Sequence, residues 1–246
     1  MRKLVLLVVV ACALAVALAA EAAEPIKIVV LTGGHGFNAK AFFPLFEGYD
    51  DITHVPAPQK DHSELFEDIS DWPYDVVVFY NMTQKISEKR RANLLALLDR
   101  GVGIVALHHC MAAYSEWPEF KNIIGCKYYL REVTEDGVKH PASGYKHGVD
   151  FTIHVEDKTH PVTQGVEDFA IHDETYCRTW VDPKAHILLT TDTPTSDKAV
   201  GWAKTWRKAR VCTLQMGHGN SIFANPGYRK LVAQAIRWTA GRLGPK

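Results

Sequence analysis

Three stretches of the chain are apolar at nearly every position instead of every second one: Ile26 to Gly34 (IKIVVLTGG), Tyr74 to Tyr80 (YDVVVFY) and Gly103 to Leu107 (GIVAL). Short β-branched runs of this kind suit strands covered on both faces, and the glycines closing the first suit a tight turn. Between the second and third lies SEKRRANLLALLDRG, in which Ser87 is placed to cap a helix, Leu94, Leu97 and Leu98 share a helical face, and Gly101 stands just past the end. A strand, helix, strand unit predicts parallel pairing. Further on, DFTIHV, AHILLTTD, AVGWAKTW and ARVCTLQMG read as strands with antiparallel partners among them, and NPGYRKLVAQAIRWTAGR reads as a helix with Leu231, Ala235 and Trp238 on one face. The stretch from Cys126 to Asp150 is polar, turn-rich and too long for an ordinary connection, so an inserted hairpin or lid is expected there.

The amino terminus has a different pattern. Arg2 and Lys3 precede an apolar run from Leu4 to Leu18, followed by small residues that allow cleavage after Ala19 or Ala22. Residues 1–22 therefore read as a secretory signal, and residues 24–246 as one domain of a size that can bury a full core. The apolar run falls short of the ~20 residues that a membrane-spanning helix needs, so no stable membrane insertion is expected. Cys12 lies inside this run, where a lipid-bearing terminus would begin with another apolar segment. The expected location is periplasmic or secreted. The mature N-terminus should fall between Ala20 and Glu24; an intact mass showing Met1 retained on soluble protein would overturn the signal reading.

Charge narrows the partners. Lys and Arg number 28 and Asp and Glu number 28, so no net field draws the chain to nucleic acid or anionic lipid, and a small neutral molecule is the expected partner. Cys110, Cys126, Cys177 and Cys212 are too widely spaced for a zinc knuckle and too few for a disulfide scaffold. One disulfide is compatible with export, without a pairing that sequence can assign.

The candidate chemistry gathers at strand ends. In open α/β sheets ligands bind beyond the carboxyl ends of the strands, and His35, Asn81, His108 and His218 each end a predicted strand. His108 follows GIVAL directly, at the sharp strand-to-helix turn where hydrolases and amidotransferases place a nucleophile beside backbone N–H donors. An imidazole there is a poor lasting nucleophile but a good acid, base or metal ligand. His109 can face the same rim or bond backbone groups at the helix start. Cys110, in the first turn, supports a rival cysteine-hydrolase reading, although it lies two positions past the elbow.

Taken in order, TGGHGFN (Thr32 to Asn38), GVGIVALHHC at the elbow, HPVTQG (His160 to Gly165), DETY (Asp173 to Tyr176), MGHGN (Met216 to Asn220) and IRWTAG (Ile236 to Gly241) resemble the ThuA-like (trehalose utilisation) family over essentially the whole mature chain. The resemblance implies a flavodoxin-like, class I glutamine amidotransferase-like three-layer α/β fold with a mostly parallel central sheet. The elbow cysteine of the amidotransferases is replaced by His108, so glutamine hydrolysis is not implied. What is implied is processing of disaccharides or other glycosides through keto-sugars made by a partner sugar oxidoreductase, by a lyase, isomerase or hydrolase. A keto group acidifies the neighbouring C–H, so a base and a group that stabilises the enediolate are required.

His108, Glu174 and His218 supply those types and are the expected catalytic set; the same three can hold a divalent metal such as Zn²⁺ with an open position, although no local H-x-x-x-H spacing supports one. His35, Asn81, His109, His160, Asp173 and Tyr176 are the expected substrate-binding residues. Read as a strand, IHDETY is expected to part Asp173 and Tyr176 from His172 and Glu174, so that only one carboxylate need face the rim, with Glu174 preferred over Asp173. His140 and His147 read as solvated loop histidines. HPVTQG fits a plain turn as well as a site, and GGHG lacks the Lys and Ser/Thr of a phosphate loop. Tyr114, Trp117, Tyr128 and Tyr129 can stack on a sugar or pack in the core. The alternative to an enzyme is a sugar-binding amidotransferase-like domain without catalysis.

Overall fold

A computed structural model describes residues 24–60, 62–135 and 137–244, so the signal-like segment lies outside the described residues. The strands are β1 (Ile26–Gly33), β2 (Ile52–Pro58), β3 (Val76–Asn81), β4 (Gly103–Leu107), β5 (Cys126–Lys127), β6 (Val133–Glu135), β7 (Val138–His140), β8 (Gly144–Val155), β9 (Phe169–Cys177), β10 (Trp180–Val181), β11 (His186–Thr190), β12 (Ala199–Trp206) and β13 (Ala209–Leu214). The helices are α1 (Ala39–Phe42), α2 (Glu88–Arg100), α3 (Pro118–Ile124), α4 (Asn220–Phe223) and α5 (Pro226–Thr239). Nine strands form one sheet in the order β2-β1-β3-β4-β13-β12-β11-β8-β9. The first five are mutually parallel and the last four alternate in direction.

Alternation along the buried strands makes the layers. In β1, Ile28 and Val30 face a core shared with Leu231, Ala235 and Ile236 of α5, while Val29 and Leu31 face a core shared with Leu94, Leu97 and Leu98 of α2. Helix α2 forms where its punctuation predicts: Ser87 Oγ accepts the Arg90 N–H, and Gly101 closes the helix in the left-handed region. The edge strands are blunted against further pairing. Pro56 and Pro58 interrupt β2, and the Ala170 and His172 carbonyls of β9 accept bonds from Asn225 Nδ2 and Ser221 Oγ. Cys110, Cys126, Cys177 and Cys212 are free thiols, so the disulfide allowed by the sequence does not form among them. Among the described residues, no helix is long and apolar enough to cross a membrane.

Two features bring the rim together. The polar insert contains a real hairpin, β6 with β7, tied down where Glu135 meets Lys121 and Lys127. The second is the β8–β9 ribbon, which joins β11 through just two residue pairs, Leu189 with Val155 and Thr190 with His154. It therefore curls back over the end of the sheet, and because β9 runs in the same sense as β4 and β13, its carboxyl half arrives at the rim where they end.

Candidate active site

The elbow is strained as a nucleophile elbow is. His108 has φ of +49°, a left-handed conformation that non-glycine residues avoid. Its ring is fixed at both nitrogens. Nδ1 lies 2.7 Å from the Gln215 carbonyl, which can only accept, so Nδ1 carries the proton and Nε2 carries the lone pair. The Tyr176 hydroxyl donates to Nε2 at 2.9 Å, and the Tyr176 ring stacks on the imidazole with centroids 4.7 Å apart. The His108 side chain is 0 % exposed: although it ends its strand at the rim, it is packed beneath Tyr176 with Nε2 turned toward Glu174.

His218 is placed by its loop. The Asp173 carboxylate accepts N–H groups from Gly217 at 2.6 Å, His218 at 3.0 Å and Gly219 at 2.6 Å. Tyr80 Oη donates to the Gly217 carbonyl and Tyr228 Oη to the Met216 carbonyl. Gly217 has φ of +134°, and a Cβ there would stand 2.7 Å from the Tyr228 hydroxyl, so a side chain is excluded. Asp173 is thus a buried clamp that positions His218 and not a substrate-binding group.

Glu174 is the hub. Its Oε2 lies 3.2 Å from His218 Nε2, 3.1 Å from His147 Nδ1 and 3.7 Å from His108 Nε2. Burial pushes its carboxyl up, but hydrogen bonding and charge from His108, with the charges of His218 and His147, outweigh that and hold it below the usual value. Burial lowers His218, against the partial opposition of Glu174. His109, buried behind His35, is pushed down to about 2 by desolvation and by the neighbouring His108 and His35.

A cavity of about 230 Å³ opens above Glu174, walled by His35, Met82, Tyr128, Leu130, Tyr145, His147 and Tyr176. Surface hollows of about 400 Å³ beside His172 and about 530 Å³ beside Arg90 are larger, but neither contains His108, Glu174 or His218.

The three residues expected to be catalytic therefore meet, and of them Glu174 lines the cavity, together with His35 and Tyr176. Tyr176 stands on the Glu174 side of β9, as a two-residue period from 174 requires, and not on the side expected. Asn81 is 0 % exposed; its amide donates to Tyr114 Oη, which is 2.5 Å from Ser63 Oγ, so it braces the carboxyl end of β3 from within instead of facing the cavity. His109 is closed off too, with Nε2 directed at the Tyr80 carbonyl. His160 is elsewhere: it packs against Trp238 and His186, beside Arg210, at the edge where β13 begins. Cys110 is fully buried in the apolar core, and desolvation raises its thiol far above the usual value, which removes the cysteine-hydrolase reading. His140 stacks on Tyr129 and does not join the cluster.

His147 is the residue that sequence reasoning missed. Lys146 pairs with Thr175 and Val149 with Asp173, so His147 and Gly148 together oppose the single residue Glu174. This is a β-bulge, with Gly148 at φ of +64°. The glycine in GYKHG was the available signal, since an isolated glycine in a strand pattern marks a bulge.

Strand order, elbow and rim define an α/β protein of amidotransferase-like architecture whose elbow carries histidine over a histidine–carboxylate cluster. The chain belongs to the ThuA family (trehalose utilisation), which matches residues 50–239. Its fold is that of a ThuA-like protein from Parabacteroides merdae (TM-score 0.75, 21% identity, 91% of this chain and 93% of that one). A second ThuA-like protein, from Bacteroides uniformis, gives a TM-score of 0.65 at 20% identity over 89% and 93% of the two chains. A cytoplasmic protein from Salmonella typhimurium gives 0.59 at 10% identity over 87% and 99%. Comparison with curated proteins yields no match.

Proposed function

We propose that the protein is a carbohydrate-processing enzyme acting on a keto-sugar derived from a disaccharide or other glycoside, the keto group being supplied by a sugar oxidoreductase. The observation that carries the proposal is the pairing of His147 with Glu174 on the floor of a tyrosine-walled cavity. His147 Nδ1 faces the carboxylate, which leaves Nε2 as a base, and the carboxylate stabilises the imidazolium that forms. Nε2 removes the proton from the carbon beside the carbonyl, the C–H electron pair becomes the enediolate double bond, and the negative charge moves to the former carbonyl oxygen. Returning the proton to the former carbonyl carbon, while the adjacent hydroxyl gives its proton to the enediolate oxygen, isomerises the sugar; expelling a glycosidic oxygen from the next carbon, with the carbonyl re-forming and the His147 imidazolium protonating the leaving oxygen, makes the enzyme a lyase. Tyr128 and Tyr145 supply apolar faces for a pyranose ring. The family's connection with trehalose utilisation supports a disaccharide origin for the substrate, and the N-terminal pattern supports action outside the cytoplasm.

The test is deuterium exchange. In D₂O, a glycoside oxidised at C3 should exchange the hydrogen beside its carbonyl at a rate proportional to enzyme, whereas the unoxidised glycoside should not. Binding of either sugar without exchange would favour a sugar-binding domain instead.

A further inference from the structure

We propose that His108, Glu174 and His218 together bind one divalent transition-metal ion of the zinc type, with its open coordination positions toward the cavity. The inference rests on the geometry of these side chains and stands apart from the keto-sugar reading. One ligand atom from each residue falls within 4.8 Å of the others. Around a tetrahedral ion with bonds of ~2.0–2.2 Å, ligand atoms stand about 3.3 Å apart. The Glu174 oxygen is already 3.2 Å from His218 Nε2 and 3.7 Å from His108 Nε2.

The second argument is the tautomer. A metal-binding histidine characteristically donates its other ring N–H to a carbonyl or carboxylate, which fixes the ring and turns the lone pair to the ion. His108 does this through Nδ1 and the Gln215 carbonyl. The clamp of Asp173 on residues 217–219 gives the other imidazole an equally fixed base.

A third argument is charge. Glu174 is 6 % exposed, and its ion-pair partners among the described residues are imidazoles, without a lysine or arginine. A buried carboxylate is costly without a cation beside it, and an ion at the common focus supplies one. Two imidazole nitrogens and one oxygen select zinc or its transition-metal neighbours over magnesium and calcium, which prefer oxygen throughout. Binding requires one rearrangement: the Tyr176 hydroxyl must leave His108 Nε2. His147, outside the three-residue set, remains free to act as the base.

The experiment uses the full chain, stripped with chelator and then freed of it, and titrated with Co²⁺ and Zn²⁺. One equivalent should bind, with the visible absorption of Co²⁺ in a low-coordinate nitrogen and oxygen site. His218→Ala and Glu174→Gln should weaken binding by at least about 100-fold. Tyr176→Phe keeps the stacked ring but lacks the competing hydroxyl, so it should bind at least as tightly as the parent. His147→Ala should retain one equivalent. Failure to bind, or undiminished binding by a folded His218→Ala protein, would overturn the site. His218 is part-exposed, so that variant stays informative should Glu174→Gln fail to fold. Metal binding without deuterium exchange would sink the keto-sugar reading and leave this one standing; exchange by protein that binds no metal would do the reverse.

Discussion

Replacing His147 with alanine should slow deuterium exchange from a keto-sugar by about 10² to 10⁴, the contribution of a positioned general base, while leaving the fold intact. The side chain is 59 % exposed, so its removal opens no hole in the core, and stability should change by no more than ~0.5 kcal/mol. Exchange is the appropriate readout because it reports proton removal without depending on which product follows. The loss should fall on kcat more than on KM, since Tyr128, Tyr145 and Tyr176 still wall the cavity. His147→Gln sharpens the test: it can still donate to Glu174 but cannot take a proton near neutral pH, so it should be as slow as alanine. His172→Ala is the control, because its exposed ring pairs with Asp150 and borders a separate hollow that holds none of His108, Glu174 and His218. An unchanged rate in a folded His147→Ala protein would leave Glu174 or His218 as the base and remove His147 from the chemistry.

Why His147 was hidden while His108 was legible is a matter of sequence range. GIVAL followed by histidine is a local signal: a buried strand has to end, the chain has to turn, and the turning residue stands at the carboxyl end of the sheet whatever lies elsewhere. The parallel units were legible for the same reason, with Ser87 and Gly101 marking the helix between β3 and β4. His218 followed from the end of β13. Glu174 was harder, because β9 reaches the rim through the curl of a ribbon anchored by two residue pairs, and no local pattern states how far a ribbon curls. His147 depended on a bulge in one strand opposite a particular residue of another. Its polar surroundings matched a solvated loop, and only Gly148 hinted otherwise.

Three of the misplacements share one cause. Asn81, His109 and Asp173 do lie near the rim, Asn81 at the end of β3, His109 just past the elbow and Asp173 within β9, but nearness to a rim does not make a side chain accessible. Each is held by backbone or core groups through the atoms that matter to the turn: Asn81 Nδ2 by Tyr114, His109 Nε2 by the Tyr80 carbonyl, and the Asp173 carboxylate by the 217–219 loop, while Asn81 Oδ1 and His109 Nδ1 are left without a partner among the described residues. Polar residues at strand ends serve the turns as often as they serve the ligand, because buried N–H and C=O groups require partners. His160 failed differently. HPVTQG is a turn at the opposite edge, in which Thr163 and His160 bond within the loop, so its polarity answered a local need.

Asp173→Ala should be among the most destabilising single substitutions in the protein, and its effect on catalysis should exceed its effect on folding. The carboxylate satisfies three consecutive N–H groups. Leaving them unpaired should cost about 3 to 5 kcal/mol, since each buried donor left without a partner costs ~1–3 kcal/mol and partial rehydration prevents full additivity. At ~2–4 °C per kcal/mol for a chain of this size, thermal denaturation should show a drop of about 10 °C or more. Asp173→Asn keeps one acceptor oxygen and should lose less. The catalytic part follows from the loop. Tyr80 and Tyr228 still hold the Gly217 and Met216 carbonyls, so residues 216–217 should remain near their places, but His218 is released from its N–H anchor and its ring should leave Glu174. Folded Asp173→Ala protein, measured well below its denaturation temperature, should therefore bind Co²⁺ weakly and exchange slowly. A protein that loses stability but keeps normal metal affinity and exchange would reduce Asp173 to a structural clamp, whereas loss of both in folded protein makes it the residue that positions His218. On the second outcome, adjacent carboxylates on opposite faces of one strand divide the work: Asp173 fixes the loop, and Glu174 meets what the loop presents.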